Sequence, residues 1–256
     1  MKITKALIPA AGKGTRFAPY TQVIPKEMLP LITKPAIHHS IEEGVLSGIT
    51  DFGIITSSTK EPLAQYCDVL EKQQYARFAY IRQQETRGLG HALWTARYLI
   101  NNEYFGVMLP DDIVASATPC LQQLITIAQR ENASVIALQE IPREKISAYG
   151  VIKAKKNSDN TLYEIETVVE KPKSQEAPSN LAIVGRYVFS PTILTILEHT
   201  QPSANGEIQL TDAITELIKQ GERVYGYVFD GTRYDTGTPQ GWVQAVVDYA
   251  KQEQLL

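Results

Sequence analysis

The sequence predicts an α/β fold, a mixed and mostly parallel sheet flanked by helices with a small antiparallel region. Two observations lead to it. Short apolar runs alternate with helical patterns through residues 1–140, which favours parallel strands joined by helices on both faces of a sheet. Residues 141–256 instead carry strand-like segments close together, which favours antiparallel pairing. A chain of 256 residues can bury one large core or two small ones, and we expect one domain.

The first half is predicted to alternate strand and helix. The run Ala6–Ile8, bounded by Pro9, is short and apolar, as a buried strand is. The segment 36–46 places apolar residues on one helical face and has Gly48 just past its end. By the same patterns we expect strands at 52–56, 78–81, 104–109 and 133–140, and helices at 60–73, at 119–130 and from just after Ala92 to about Leu99.

In the second half we expect strands at 148–152, 162–169, 180–187 and 224–228, with a polar hairpin around Asn157–Asn160. Helices are expected at 207–220, opened by Glu207, and at 239–252, opened by Pro239. In such a sheet, ligands bind beyond the carboxyl ends of the parallel strands. The loops at those ends are therefore the candidate site.

Composition argues against several functional classes. The formal net charge of −3 argues against general affinity for nucleic acid. The two cysteines have neither metal-ligand spacing nor a disulfide framework, so reduced thiols are the simplest interpretation. No apolar run approaches membrane-spanning length, and the first residues lead into a strand without a signal-peptide pattern. We expect a cytoplasmic protein that has neither nucleic acid nor a membrane as partner.

The loop after the first strand is the most informative stretch. Gly12 and Gly14 remove Cβ atoms where the backbone must turn and lie close to a ligand. The N–H groups of such a loop can bind oxygen atoms, as helix N-termini do. Lys13 and Arg16 add positive charge, and Lys26 follows ten residues after Arg16. Three cations around a glycine turn suit a ligand with several phosphates.

Two familiar glycine motifs do not match this loop. The dinucleotide fingerprint Gly-x-Gly-x-x-Gly would need a glycine where Phe17 stands, and an acidic residue about 20 positions further on. The spacing of the Lys-Ser/Thr pair in a P-loop is also absent. A plain strand-to-loop turn with solvated cations is the alternative to a phosphate site.

Two other strand ends carry residue types that bind ligands. Gly88 and Gly90 follow the third strand in a polar loop, although a plain strand-to-helix turn would also explain them. Asp111 and Asp112 directly follow a buried strand, where paired carboxylates suit Mg²⁺ together with phosphate oxygens and waters. The alternative for Asp112 is an N-cap ahead of the helix at 119–130.

The string Gly12-Lys13-Gly14-Thr15-Arg16, followed by Ile24-Pro25-Lys26-Glu27-Met28-Leu29-Pro30, resembles the signature of the bacterial UTP–glucose-1-phosphate uridylyltransferases, which are sugar nucleotidyltransferases. The resemblance extends over nearly the whole chain. It implies a Rossmann-like nucleotide-diphospho-sugar transferase fold and a Mg²⁺-dependent transfer of a uridylyl group from UTP to glucose-1-phosphate. Residues 1–140 would then mainly hold the nucleotide, and residues 141–256 mainly the sugar.

The resemblance also assigns roles to individual residues. The attacking phosphate needs no side-chain nucleophile, so positioning and charge stabilisation would carry catalysis. The catalytic cations would be Arg16, Lys26 and Lys171. The nucleotide would contact Ala10, Ala11, Gly12, Lys13, Gly14, Gln83 and Gly88, with the Gln83 amide and the Gly88 backbone at the base edge. The sugar would contact Asp112, Gly150, Glu170, Val184, Gly185 and Glu207, and Asp111 and Asp235 would hold the metal.

Several alternatives stay open at this point. One is the sister reaction with dTTP, because Asp235-Thr236-Gly237-Thr238 is at least as similar to the thymidylyltransferases. Another is a nucleotide-sugar sensor without catalysis. The sugar could also be galactose or an N-acetylhexosamine. The segment 66–78 is shorter than the resemblance predicts, and the expected helical extension after Gln252 is missing. The assembly state is therefore open, with a homo-oligomer as one alternative.

Overall fold

The computed structural model describes residues 1–156 and 161–256, so the hairpin expected around Asn157–Asn160 lies outside the described residues. The helices are α1 (Ala36–Leu46), α2 (Glu61–Lys72), α3 (Gly88–Thr95), α4 (Cys120–Glu131), α5 (Thr192–His199), α6 (Leu210–Lys219) and α7 (Pro239–Gln252). The strands are β1 (Lys5–Pro9), β2 (Pro30–Leu31), β3 (Lys34–Pro35), β4 (Asp51–Thr56), β5 (Arg77–Arg82), β6 (Phe105–Met108), β7 (Asp112–Ala115), β8 (Ser134–Glu140), β9 (Gly150–Lys156), β10 (Leu162–Glu170), β11 (Leu181–Phe189), β12 (Val224–Val228) and β13 (Thr232–Asp235).

Within the described residues, nine strands form one sheet in the order β5-β4-β1-β6-β11-β8-β12-β10-β9. The first four run parallel, whereas β11 pairs antiparallel with both β6 and β8. The strands β9 and β10 also pair antiparallel, as predicted for the second half. The mixed sheet is therefore confirmed. Because β1, β4, β5 and β6 are parallel, the loops that follow them meet at one edge of the sheet.

Alternate side chains of one strand enter different hydrophobic cores. Leu7 of β1 packs with residues of α3, α5 and α6, whereas Ala6 and Ile8 pack in a second core with residues of α1, α2 and α4. Helices therefore cover both faces of the sheet, as predicted. The helix α7 packs instead on a ribbon formed by β7 and β13, where Ala245 and Tyr234 share a small core.

Most predicted elements begin and end within two residues of the observed ones. The helix after β5 begins at Gly88 rather than after Ala92, so the polar loop ahead of it is shorter than predicted. The helix α6 begins at Leu210, which leaves Glu207 in the preceding loop. The sequence pattern did not predict α5 or the β7–β13 ribbon, because each element is too short for a clear period. Among the described residues, no helix is long and apolar enough to cross a bilayer.

Candidate active site

The glycine loop follows β1 at the carboxyl edge of the sheet. Gly14 is left-handed with φ of +65°, a region that favours glycine, and a Cβ there would lie 3.0 Å from Thr21 Cγ2. A Cβ on Gly12 would meet nothing within 4 Å, so this position borders open space. Gly12 and the exposed Lys13 line a cavity of about 380 Å³. The loop thus lines this cavity, which we name the first cavity, with backbone and a cation.

Lys26 also lines the first cavity and makes an ion pair with Asp111, since its Nζ donates to Asp111 Oδ2. Burial tends to raise the pKa of Asp111, but the Lys26 ammonium, a backbone hydrogen bond and Arg233 together hold that pKa below its usual range. Burial likewise tends to lower the pKa of Lys26, but Asp111 and Glu27 raise it above its ordinary value. Both Lys26 and Asp111 are therefore charged at neutral pH.

The β7–β13 ribbon brings Asp235 to Asp111. Asp112 lies opposite Asp235 in the ribbon, and Thr236 donates to the Asp111 backbone carbonyl from its N–H at 2.7 Å and from its hydroxyl at 2.9 Å. A Cβ on Gly237 would lie 2.7 Å from Asp111 Oδ2 and 3.1 Å from Asp235 Oδ1. The two carboxylates therefore flank a gap that only glycine leaves open.

This gap fits a hard cation. Mg²⁺ usually takes one or two protein carboxylates and completes its shell with phosphate oxygens and waters. No group of three or more His, Cys, Asp or Glu side chains suited to a metal occurs in residues 1–156 and 161–256. A two-carboxylate Mg²⁺ site is consistent with both facts. Arg16 reaches the same gap, with its Nη1 at 3.4 Å from the Gly237 carbonyl.

A second loop, after β5, closes another side of the first cavity. The Gln83 side chain is buried, and its Nε2 lies 2.9 Å from His91 Nδ1 and 3.4 Å from the Gly88 carbonyl oxygen. Gly88 begins α3, so its N–H has no acceptor within that helix. Both Gln83 and Gly88 line the cavity. A side-chain amide and a residue whose backbone N–H lacks a helical acceptor thus line the same cavity, and these two groups have the chemistry that the edge of a pyrimidine base requires.

A second cavity, of about 310 Å³, adjoins the first. The two share Gly88, Leu89, Leu109 and Glu207 in their walls, so together they form one continuous cleft. A larger groove of about 590 Å³ lies between α5 and α6, but it contains none of the predicted site residues. The cleft, rather than the larger groove, is the candidate active site.

Glu170 and Lys171 line the second cavity at the end of β10. Thr211 Oγ1 donates to Glu170 Oε2 at 3.1 Å, and Lys171 Nζ lies 3.3 Å from Glu170 Oε1. A Cβ on Gly150 would lie 2.9 Å from Thr211 Cγ2 and 3.4 Å from Glu170 Oε2. Glycine at this position therefore leaves room for the carboxylate to face the cavity, where it could accept hydrogen bonds from hydroxyl groups.

Asp112 is not a helix cap, because it begins β7, and α4 starts only at Cys120 without a side-chain cap. Its Oδ2 accepts from the Gly185 N–H at 2.7 Å and its Oδ1 from Arg233 Nε at 2.6 Å. Burial raises the pKa of Asp112, although Arg233 acts to lower it. Asp112 thus fixes the β11 backbone at the wall of the second cavity. Its predicted sugar contact stays a prediction.

The sequence reasoning missed Arg233, although one signal could have found it. Arg233 precedes Asp235 by two positions in β13, and residues two apart in a strand lie on one face. Recognising 232–235 as a strand would therefore have placed an arginine beside the predicted metal ligand. Arg233 Nη1 also donates to the Tyr149 hydroxyl at 3.3 Å.

A buried ion pair behind Lys26 was also missed. Lys60 Nζ donates to both carboxylate oxygens of Glu27, at 2.9 and 2.8 Å. Burial raises the pKa of Glu27 and lowers that of Lys60, in spite of their pairing. Glu27 directly follows Lys26 in the chain, so its buried pair with Lys60 anchors the turn that carries Lys26. The Glu27 carboxylate also raises the pKa of Lys26.

A second buried pair links the two cavities. Arg186 is fully buried, and its Nε and Nη2 donate to Glu43. Its Nη1 donates to the backbone carbonyls of Leu109 and Gly185, both at 2.9 Å. Arg186 therefore holds the segment that leads to Asp111 against the strand that lines the second cavity. No local pattern predicts this pair, because its members are separated by 143 positions.

The structure gathers most predicted site residues in the cleft. Its walls contain Ala11, Gly12, Lys13, Lys26, Gln83, Gly88, Asp111, Asp112, Gly150, Glu170, Lys171, Val184, Gly185 and Glu207. Three further predicted residues lie next to these walls or to the gap: Gly14 beside Lys26, and Arg16 and Asp235 beside Gly237. Ala10 does not reach a wall, because it is buried and its N–H donates to the Ile55 carbonyl at 2.7 Å. The contacts of all these residues with a ligand stay predictions.

Comparisons with known proteins agree with this arrangement. The nucleotidyl transferase family profile matches residues 5–252. A UTP–glucose-1-phosphate uridylyltransferase of Staphylococcus epidermidis is 45% identical over 97% of this chain and 93% of its own length. One of Bacillus subtilis is 44% identical over 100% of this chain and 94% of its own. A solved UDP-glucose pyrophosphorylase complexed with UDP-glucose is similar with a TM-score of 0.92 at 40% identity, covering 98% of this chain and 100% of that one.

Proposed function

Because the chain belongs to the nucleotidyl transferase family, we propose that it transfers a uridylyl group from UTP to glucose-1-phosphate, giving UDP-glucose and pyrophosphate. The observation that carries this proposal is the continuous cleft, in a chain so similar to two uridylyltransferases. One cavity is lined by the cationic glycine loop, and the adjoining one by Glu170 and Lys171. A nucleotide and a sugar phosphate would meet where the two cavities join.

In this reaction a phosphate oxygen of the sugar attacks the α-phosphorus of UTP. A P–O bond forms to that oxygen, the bond from the α-phosphorus to its bridging oxygen breaks, and pyrophosphate carries away the electron pair. The attacking oxygen is already an anion, so no general base is needed. The difficulty is the approach of two polyanions, and placed positive charge lowers that barrier.

The cations of the cleft divide this task. Lys13 and Arg16 would bind the triphosphate, because both are exposed on the loop that borders the first cavity. Lys26 lies deeper, beside Asp111, and would hold the α-phosphate. Lys171 lines the second cavity and would align the attacking phosphate. Holding both substrates in line supplies much of the rate enhancement in reactions of this kind.

We also propose that Asp111 and Asp235 hold Mg²⁺ in the gap beside Gly237. When bound, the ion would neutralise charge on the phosphates. Asp111 Oδ2 also accepts a hydrogen bond from Lys26, so this carboxylate would connect the metal site to the cation at the α-phosphate. Asp235 is fixed by the ribbon, and its Oδ1 accepts from the Gly237 N–H at 3.1 Å.

A cytoplasmic location belongs to the same proposal. Cys67 and Cys120 are both free and buried, which suits a reducing compartment.

Incubation of the purified protein with Mg²⁺, glucose-1-phosphate and each of UTP, dTTP, ATP and CTP, with pyrophosphate release as the readout, tests the proposal. Release with UTP far above the others is the expected result. Release mainly with dTTP would assign the chain to thymidylyl transfer instead. No release with any nucleotide, with galactose and N-acetylhexosamine phosphates tried as well, would favour a sensor and remove the catalytic roles of Lys26 and Lys171.

A further inference from the structure

We propose that His91 fixes the orientation of the Gln83 amide and thereby makes the cleft select uracil over cytosine. The inference rests on the proposed function, because it concerns how the same site reads its nucleotide. His91 lies in the first turn of α3, behind Gln83 and outside the wall of the first cavity. It is therefore a positioning residue that acts through another side chain.

The orientation of the amide follows from its two neighbours. The Gly88 carbonyl oxygen, 3.4 Å from Gln83 Nε2, can only accept a hydrogen bond. Turning the amide by 180° would set the Gln83 oxygen against that carbonyl, with no hydrogen between them. Nε2 therefore donates, and His91 Nδ1, 2.9 Å away, must accept from it. Acceptance at Nδ1 requires a neutral ring with its proton on Nε2.

The surroundings of the ring favour that neutral form. Burial lowers the pKa of His91, and the nearby Arg87 lowers it further, against an opposite effect of Glu85. The ring of His91 also packs near Trp94, with 6.2 Å between the ring centroids. The aromatic neighbour and the Gln83 contact together hold the imidazole in place.

With Nε2 occupied, Gln83 presents Oε1 to the cavity. Within the described chain, no group donates a hydrogen bond to this oxygen. Uracil carries an N3–H donor that Oε1 can accept, whereas N3 of cytosine is itself an acceptor. Oε1 opposite cytosine sets two lone pairs against each other. A mismatch of this kind in a buried site lowers relative affinity by about tenfold to a hundredfold.

The experiment compares kcat/KM for UTP and CTP, with glucose-1-phosphate as second substrate, in wild type and variants. His91→Phe keeps a ring beside Trp94 but removes the closer of the two acceptors. Nε2 then keeps only the longer 3.4 Å contact with the Gly88 carbonyl, which is too weak to stop the Gln83 amide from rotating. We expect the preference for UTP over CTP to fall by about tenfold. His91→Asn can offer an amide oxygen to Gln83 Nε2, and it should retain the preference to within about threefold. If His91→Phe does not fold, His91→Leu tests the same loss of the hydrogen-bond acceptor.

Thr95→Ala is the matched control. Thr95 Oγ1 donates to the His91 backbone carbonyl at 2.8 Å and does not hydrogen-bond the ring, so this variant should keep the preference of wild type. In a Gln83→Leu background, replacing His91 should not change the preference further. An unchanged preference in a folded His91→Phe variant, an equal fall in Thr95→Ala, or a further fall in the double variant would each overturn the proposal.

Failure of the proposed function can be told apart from failure of this inference. If wild type turns over no nucleotide, the transferase assignment is wrong, but calorimetric binding of UMP and CMP still measures the preference. A uracil preference that His91→Phe abolishes in binding would support the role of His91 even then. Equal binding of UMP and CMP by wild type would overturn it.

Discussion

Replacing Lys60 by methionine leaves Glu27 without a partner beneath the cleft, and we expect a large loss of stability. The side chains of Lys60 and Glu27 are 7% and 1% exposed, so water cannot take the place of the missing ammonium. Removing one partner of a buried pair costs about 3–5 kcal/mol. That is a large share of the ~5–15 kcal/mol that stabilises a typical domain.

The loss of stability in this variant should grow as the pH rises. Burial raises the pKa of Glu27, and Lys60 acts to lower it, so removing Lys60 raises it further. Folded Glu27 then holds a proton that the unfolded chain releases, and the free energy of unfolding falls as pH rises through that window. The loss of stability in the variant therefore reaches its full size above the pKa that Glu27 has in the folded protein. It shrinks as pH falls toward the ordinary value of 4.5.

Urea unfolding, monitored by circular dichroism between pH 5 and 8, measures this loss of stability. The double variant Glu27→Gln with Lys60→Met removes the buried charge and should recover most of the loss. Arg77→Met breaks an exposed ion pair with Asp51 at the opposite edge of the sheet and should leave stability unchanged. A deficit below about 1 kcal/mol for Lys60→Met at pH 8, or one that is constant with pH, would refute the reasoning.

Three further predictions concern activity. Lys26→Ala and Asp111→Asn should each lower kcat by about 10²–10³ while circular dichroism shows a folded protein; near-normal turnover in either would contradict their placement at the phosphates. EDTA should abolish pyrophosphate release and Mg²⁺ restore it, and Asp235→Asn should need more Mg²⁺ for half-maximal rate; activity that survives chelation speaks against the metal site. Gly185→Ala sets a Cβ 2.6 Å from Asp112 Oδ2, so the wall of the second cavity must shift. Because we assign that cavity to the sugar phosphate, KM should rise more for glucose-1-phosphate than for UTP when each substrate is titrated. Equal changes in the two KM values would argue against a sugar-side role for this glycine.

The sheet and the walls of the first cavity could be predicted because their signals are local. A buried strand followed by Gly12 and Gly14, or by Asp111, combines an apolar run with residue types that suit a ligand. Parallel strands then bring such loops to one edge without any knowledge of tertiary contacts. The resemblance supplied most of the predicted residues that line the second cavity, where residues such as Glu170 carry no pattern of their own.

The supporting ion pairs could not be predicted, because each joins distant parts of the chain. Glu27 and Lys60 are 33 positions apart, and Glu43 and Arg186 are 143 apart. In the sequence, nothing distinguishes any of these residues from an ordinary charged side chain exposed to solvent. Only the fold shows that it is buried. The N-cap alternative for Asp112 was wrong for the same reason, since its partners come from β11 and β13.

These pairs decide which positive charges are left for the substrates. Lys60, Arg186 and Arg233 each form a buried or half-buried pair with a carboxylate, so their charge is already balanced inside the protein. Lys13 and Arg16, in contrast, are exposed and form no ion pair with any residue in 1–156 or 161–256. The unbalanced positive charge of the cleft is thus concentrated on the glycine loop. The triphosphate, which carries the most negative charge of the two substrates, should therefore depend on this loop more strongly than the sugar phosphate does.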